Sequence, residues 1–133
     1  GFRLMGLPHF FDNELGGSLH GESGAGLSDF GRQVVDGLMA RGMVIDLAHA
    51  SPQMVRDVLA IQGTRPIISH TGIHGNCDTQ RNLPDDLVRA VARPRRRGGH
   101  GGGQEGGLGG GPPPKSSATC PTIWSAPSPP RAA

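Results

Sequence analysis

The sequence predicts an α/β fold with a parallel sheet covered by helices, and three observations lead to this prediction. Short apolar runs typical of buried strands alternate, along residues 1–92, with segments whose apolar residues recur every three to five positions. This alternation gives the order strand, helix, strand, helix, strand, helix, which is typical of parallel sheets. A histidine follows each apolar run at or near its end. Three such units are too few to close a barrel.

The first unit comprises a strand and, after a glycine-rich loop, a helix. The apolar run at residues 2–7 ends at Pro8 and His9, so we expect a buried strand there. Ser28 is a suitable helix N-cap, and Asp29 lies where the helix dipole favours a carboxylate. An apolar stripe predicts a helix of about four turns that ends before Gly42. The stripe consists of Phe30, Val34, Val35, Leu38 and Met39.

The second and third units repeat this arrangement. Residues 43–48 form an apolar run that ends at His49, and Ser51 with Pro52 then opens a helix. Residues 66–69 form the third strand and end at His70. The third helix begins at Pro84 and stops at Pro94. The second helix has an inward stripe of Met54, Val55, Val58 and Leu59, and the third has Leu87, Val88 and Val91.

Composition changes abruptly after residue 92. Residues 1–92 carry a formal charge of −3, whereas residues 93–133 carry +5 and hold ten of the 23 glycines and eight of the 12 prolines. Such a segment cannot bury enough apolar surface to form a core. We therefore predict a partial domain at 1–92 and a disordered tail rich in Gly, Pro and Arg at 93–133. GC-rich DNA read out of register encodes this composition, so we hypothesise a frameshift near codons 92–98.

The basic tail raises RNA binding as an alternative function. Arg95-Arg96-Arg97-Gly98-Gly99 is similar to the arginine-glycine segments that bind RNA. Such segments usually repeat and include aromatic residues, whereas this tail has a single Arg-Gly-Gly and a lone Trp124. We therefore expect no nucleic acid partner.

Three histidines are candidates for a functional site. The carboxyl ends of parallel strands form the active-site face of α/β folds, and His9, His49 and His70 all follow strands. One such histidine is usually a structural loop or core residue, but three at equivalent positions favour a metal or catalytic site. Asp46 lies inside a strand and is better explained as a hydrogen-bond acceptor than as a ligand. We assign His20, His74 and His100 to loops or the tail.

Five segments, in order along residues 2–92, resemble motifs of the membrane (renal) dipeptidase family of zinc metallopeptidases. The 21-residue separation of His49 and His70, and the 11-residue separation of His70 and Arg81, also agree with that family. Proline replaces the family's common threonine at Pro8. The segments are Gly6-Leu7-Pro8-His9-Phe10, Gly26-Leu27-Ser28-Asp29-Phe30-Gly31-Arg32-Gln33-Val34-Val35, Ile45-Asp46-Leu47-Ala48-His49, Ile67-Ile68-Ser69-His70-Thr71 and Arg81-Asn82-Leu83-Pro84-Asp85-Asp86.

The resemblance implies a fragment of a (β/α)₈ TIM-type barrel with about three βα units. It implies a two-zinc site at which a metal-bridged water hydrolyses dipeptides. His49 and His70 would ligate one of the two zinc ions, so the fragment would supply ligands for that ion only. His9 would contact substrate and act in catalysis by stabilising the tetrahedral intermediate. Arg81 would bind the substrate carboxylate through its guanidinium.

Several parts of the family pattern have no counterpart in this sequence. The early His-x-Asp strand, the carboxylate that bridges both metals and the late Asp strand are all missing. We therefore expect a truncated fragment that is inactive alone. A non-catalytic remnant that binds metal or a partner chain stays open as an alternative, as does a homodimer of the intact form.

Targeting signals are not evident in this sequence. There is no apolar run of about 18 residues, so we expect no transmembrane segment. The first residues lack the layout of a signal peptide, and we expect a bacterial cytoplasmic location.

Overall fold

The computed structural model describes residues 1–79 and 81–93. The predicted tail therefore lies almost entirely outside the described residues, as does His100. Helices and short strands alternate along the described part, in which no helix is long and apolar enough to cross a membrane. The elements are β1 (Leu4–Gly6), α1 (Asp29–Ala40), β2 (Val44–Asp46), α2 (Pro52–Ala60), β3 (Gly72–Ile73), β4 (Asn82–Leu83) and α3 (Asp85–Ala92).

The first two predicted strands pair in parallel, as expected. β1 and β2 align with Leu4 opposite Val44, and each strand is three residues long, shorter than the apolar run that predicted it. The prediction of a parallel α/β arrangement is confirmed, and the strand boundaries are corrected.

The third predicted strand, at residues 66–69, is reduced to one parallel bridge between Asp46 and Ile67. Ile67 donates its N–H to the Ile45 carbonyl at 2.8 Å and accepts from the Leu47 N–H at 2.9 Å. The ladder does not extend beyond this bridge toward Ser69, because the Ser69 N–H is bound to the Asp46 side chain and not to a backbone carbonyl. The prediction of a full strand here was wrong for this reason.

A second, very short parallel pair was not predicted. β3 and β4 align with Gly72 opposite Asn82 and Ile73 opposite Leu83. Asn82 reinforces the connecting turn, since its side-chain amide donates to the Cys77 carbonyl at 2.5 Å. Two-residue strands leave no periodic signal in a sequence, so local patterns could not reveal this pair.

Helix α1 begins and ends as expected, but one residue of its predicted stripe is misplaced. The Ser28 hydroxyl accepts the Gly31 N–H at 2.9 Å, and the helix runs for 12 residues, slightly more than three turns. Phe30 is 55% exposed, whereas its neighbour Gly31 is buried. Gly31 lies so close to the Leu15 carbonyl that a Cβ there would overlap it. The absence of a side chain therefore lets the helix backbone pack closely at this point.

The other two helices also follow the predicted signals. In α2, the Ser51 hydroxyl accepts the Met54 N–H at 3.0 Å, and Pro52 is the first helical residue. α3 starts after Pro84 and has no side-chain cap. Val58 and Leu87, which belong to the predicted inward stripes, are buried.

One apolar core lies between the helices and one face of the short sheet. The strands of a parallel sheet are normally covered on both faces of the sheet. Here Leu4 and Ile67, which lie on the same face of the sheet, are 43% and 39% exposed, so that face lacks a cover in the described part of the chain. The core residues are Leu7, Leu15, Leu19, Val35, Leu38, Ile45, Leu47, Ala50, Met54, Val55, Val58, Leu83 and Leu87.

Two glycines at the carboxyl half of α1 are expected to respond oppositely to alanine. Gly42 has φ +64°, in the left-handed region, so Gly42→Ala should lower the free energy of unfolding by about 1 kcal/mol. Gly37 lies inside the helix, where a Cβ would meet only the flexible Arg41 side chain at 3.4 Å, so Gly37→Ala should raise it by about 0.5–1 kcal/mol. Urea unfolding of both variants tests this. Effects of the same sign would contradict the helix end described here.

Candidate functional site

Two of the predicted histidines are brought together by strand pairing. His49 and His70 each lie three residues beyond a member of the Asp46–Ile67 bridge, so they occupy equivalent positions on two neighbouring segments. Their Nε2 atoms are 2.9 Å apart and their ring centroids 4.9 Å apart. His49 is buried at 8% exposure, whereas His70 is exposed. Both imidazoles therefore direct the same nitrogen at one point.

This geometry fits two ligands of a single zinc ion. Two nitrogens at ordinary zinc distances in a tetrahedral site would lie about 3.3 Å apart. The observed 2.9 Å separation needs only a small outward movement of either ring to reach that spacing. Among residues 1–79 and 81–93, no group of three or more His, Cys, Asp or Glu side chains is arranged to hold a metal. The described part of the chain therefore offers a pair of ligands.

His9 lies beside this pair. Its ring centroid is 4.4 Å from that of His49, with the ring planes inclined at 56°. Phe10 packs edge-on against His9 at 4.7 Å and lies 5.7 Å from His49. The His9 backbone is held by the Ser18 hydroxyl, which donates to the His9 carbonyl at 2.7 Å. The exposed His9 ring is thus available to a molecule bound at the histidine pair.

Arg81 reaches the same region through the short β3–β4 pair. Gly72 is opposite Asn82 in this pair, so Thr71, which directly follows His70, lies next to Arg81. The Thr71 hydroxyl lies 3.5 Å from the Arg81 carbonyl. The Arg81 charge also helps lower the pKa of both His49 and His20. The positive charge of Arg81 therefore acts on both His49 and His20 and disfavours their protonated forms.

The pKa of His49 lies below its ordinary value. Burial is the main cause, followed by the neighbouring charges of His9 and His70, and then of Arg81 and His20. Each of these disfavours the imidazolium. His49 is consequently kept in the neutral form, the form in which a histidine ligates a metal.

His20, which the sequence assigns to a loop, lies beside Phe10, the residue that also contacts His9 and His49. Its ring centroid lies 5.4 Å from that of Phe10, and its Nε2 is buried with no hydrogen-bond partner among the described residues. Burial, and then the Arg81 charge, lower its pKa. The loop reaches this position because Leu19 donates its N–H to the His49 carbonyl at 2.8 Å. The glycine-rich loop carries no periodic signal that would place His20 there.

The remaining predicted residues behave as follows. Asp46 accepts hydrogen bonds from the Ala48 N–H at 3.1 Å and from Ser69, in agreement with the acceptor role expected for it. His74 instead approaches the exposed Asp78 carboxylate at 4.0 Å.

Comparison with known proteins gives one family and several relatives. The model of the membrane dipeptidase family, peptidase family M19, matches residues 1–95. Dipeptidase 3 of Mus musculus is 36% identical over 69 residues, which are 52% of this chain and 14% of that protein. The dipeptidase 3 proteins of Macaca fascicularis and Homo sapiens are each 38% identical over the same length and shares. The matched segment thus spans only 14% of the curated relatives.

Proposed function

This chain belongs to the membrane dipeptidase family, and we propose that it carries one histidine pair of the zinc site of a metallodipeptidase that hydrolyses dipeptides. The family is built on a (β/α)₈ barrel, and the alternating elements with parallel strand pairs agree with a fragment of one. The 2.9 Å approach of His49 Nε2 to His70 Nε2 is the observation that carries the proposal.

In this proposal, His49 and His70 hold one zinc ion through Nε2. Zinc bound there supplies Lewis acidity and lowers the pKa of water to near neutrality. The buried His49 contributes a neutral ring from three residues beyond β2, and His70 contributes its ring from the neighbouring segment. Ligands fixed on paired backbone lose little conformational entropy on binding a metal.

His9 and Arg81 act on the substrate in the same proposal. The His9 ring would donate a hydrogen bond to the reacting carbonyl oxygen as negative charge develops on it, a role supported by its 4.4 Å distance from the ring of His49. The Arg81 guanidinium can bind both oxygens of a dipeptide carboxylate. Because β3–β4 pairing holds Arg81 close to His70, the carboxylate of a dipeptide would be anchored near the metal.

We propose further that this chain alone does not turn over substrate. Catalytic zinc sites generally use three protein ligands and one open position, whereas the described part of the chain assembles two. A remnant that binds zinc without catalysis is the alternative that this ligand count favours. Both alternatives use the same two histidines, and they differ in whether a complete homologue hydrolyses dipeptides at this site.

Zinc titration of the full 133-residue chain tests the ligand assignment. We expect His70→Ala and His49→Gln each to weaken zinc binding at least tenfold, because each removes one of two ligands. His74→Ala is the matched control, since His74 lies outside the pair, and it should leave the affinity unchanged. Calorimetry measures all four proteins, and circular dichroism verifies their folding. An equal loss in the control variant, or no loss in the other two, would refute the assignment.

A dipeptide hydrolysis assay with added zinc, on the same chain, tests the second half of the proposal. We expect no hydrolysis above the rate of the buffer. Hydrolysis that disappears in His70→Ala would overturn the proposal of inactivity while supporting the ligand assignment.

A further inference from the structure

A continuous chain of hydrogen bonds runs from a buried carboxylate to the histidine pair. Asp46 Oδ2 lies 2.5 Å from Ser69 Oγ, and Ser69 Oγ lies 2.8 Å from His70 Nδ1. His70 Nε2 then lies 2.9 Å from His49 Nε2. This series of hydrogen bonds connects Asp46, the last residue of β2, with residues 69 and 70, which follow the Asp46–Ile67 bridge.

The direction of each hydrogen bond in this chain follows from the number of protons available. A carboxylate at neutral pH has no proton to donate, so the single Ser69 hydroxyl proton is directed to Asp46. Ser69 Oγ can then only accept from His70, which requires the proton of a neutral His70 ring to be on Nδ1. The lone pair of that ring is consequently on Nε2, the atom that faces His49.

We propose that Asp46 and Ser69 are positioning residues that set the tautomer and ring orientation of His70, so that Nε2 is ready to bind the metal. The metal part of this inference rests on the proposed function, whereas the tautomer part does not. Partners that bind the remote nitrogen of a ligand histidine typically determine its tautomer and strengthen its binding.

Two backbone hydrogen bonds fix the Asp46 carboxylate so that its Oδ2 faces the Ser69 hydroxyl. It is 9% exposed, and its Oδ1 accepts the backbone N–H groups of Ala48 at 3.1 Å and Ser69 at 3.0 Å. These two bonds fix the carboxylate plane and leave Oδ2 for the Ser69 hydroxyl. Because the Ser69 backbone and side chain both bind Asp46, the residue before His70 is held at two points.

Nitrogen NMR of the histidine rings in the metal-free chain tests the tautomer directly. At mildly alkaline pH, where histidine is neutral, we expect His70 to be in the Nδ1–H form. Ser69→Ala removes the acceptor and should shift His70 toward the Nε2–H form. Ser69→Thr retains a hydroxyl and should preserve the Nδ1–H form. A wild-type His70 in the Nε2–H form, or a Ser69→Ala spectrum like that of wild type, would overturn the inference.

Asp46→Asn provides a sharper readout that a merely structural role would not move. The two backbone N–H groups require the amide oxygen at the Oδ1 position, which places the NH₂ group opposite Ser69. That group would donate to Ser69 Oγ, and the hydroxyl proton would turn toward His70 Nδ1. The His70 proton should then move to Nε2. Retention of the Nδ1–H form in a folded Asp46→Asn chain would contradict the proposed relay.

Zinc affinity gives the second readout. We expect Ser69→Ala and Asp46→Asn to weaken zinc binding about 10–100-fold, and Ser69→Thr to restore most of it. If wild type binds zinc but the Ser69→Ala affinity is unchanged, the positioning role fails and the ligand assignment stands. If wild type binds no zinc, the proposed function fails, and the metal-free NMR experiment still decides the tautomer.

Discussion

Leu47→Ala is expected to lower the free energy of unfolding by about 2–5 kcal/mol. Leu47 is fully buried, follows β2 directly and belongs to the core that joins the sheet to the helices. Its removal leaves a cavity that the surrounding backbone cannot fill, because the Leu47 N–H is bound to the Ile67 carbonyl at 2.9 Å.

Urea unfolding at equilibrium measures this effect as a lower midpoint with an unchanged slope. Phe11→Ala is the control, since Phe11 is 80% exposed and should change stability by less than about 0.5 kcal/mol. Because single domains are stable by only about 5–15 kcal/mol, the Leu47 variant would lose a large share of its stability. Equal effects of the two substitutions would show that Leu47 is not in a packed core.

Gly31→Val is the second large effect expected, with a loss of about 3 kcal/mol or more. A Cβ at Gly31 would overlap the Leu15 carbonyl oxygen and lie 2.8 Å from Leu27 Cδ1. The Leu15 carbonyl cannot retreat without cost, because it accepts the Ser28 N–H at 3.0 Å and thereby fixes the start of α1. Overpacking against backbone belongs to the upper end of the usual penalty of about 1–3 kcal/mol.

Gly37→Val in the same helix is the matched control. A Cβ at Gly37 meets only Arg41 Nη1 at 3.4 Å, so we expect a change of less than about 0.5 kcal/mol. Thermal and urea unfolding of the two variants give the comparison. A Gly31→Val variant as stable as Gly37→Val would mean that α1 does not pack against the 15–27 loop as described.

Local sequence signals predicted the helices better than the strands. Ser28 and Ser51 cap their helices with the hydrogen bonds expected of them, and Gly42 adopts the left-handed conformation expected at a helix end. These features depend on neighbours within four residues. Strand lengths depend on what lies alongside, and the 66–69 segment shortened to one bridge because Asp46 takes the Ser69 N–H.

The candidate site was predictable in part for the same reason. His49 and His70 each follow an apolar run, so sequence periodicity alone could place both of them at one edge of a sheet. The motifs along residues 2–92 led to the membrane dipeptidase family, which the match over residues 1–95 confirms. The roles of His9, His49, His70 and Arg81 stay predictions, and the zinc titrations above test those of His49 and His70.

The sequence by itself determined the alternation of strands and helices, the helix ends and the family, because these depend on short-range periodicity, capping and motif spacing. Only the tertiary structure decided that His49 and His70 direct the same nitrogen at one point, that His20 joins them, and that Asp46 acts on His70 through Ser69. Those relations join residues up to 29 positions apart, from His20 to His49. They depend on side-chain packing and on competition for individual N–H groups, neither of which leaves a local pattern in the chain.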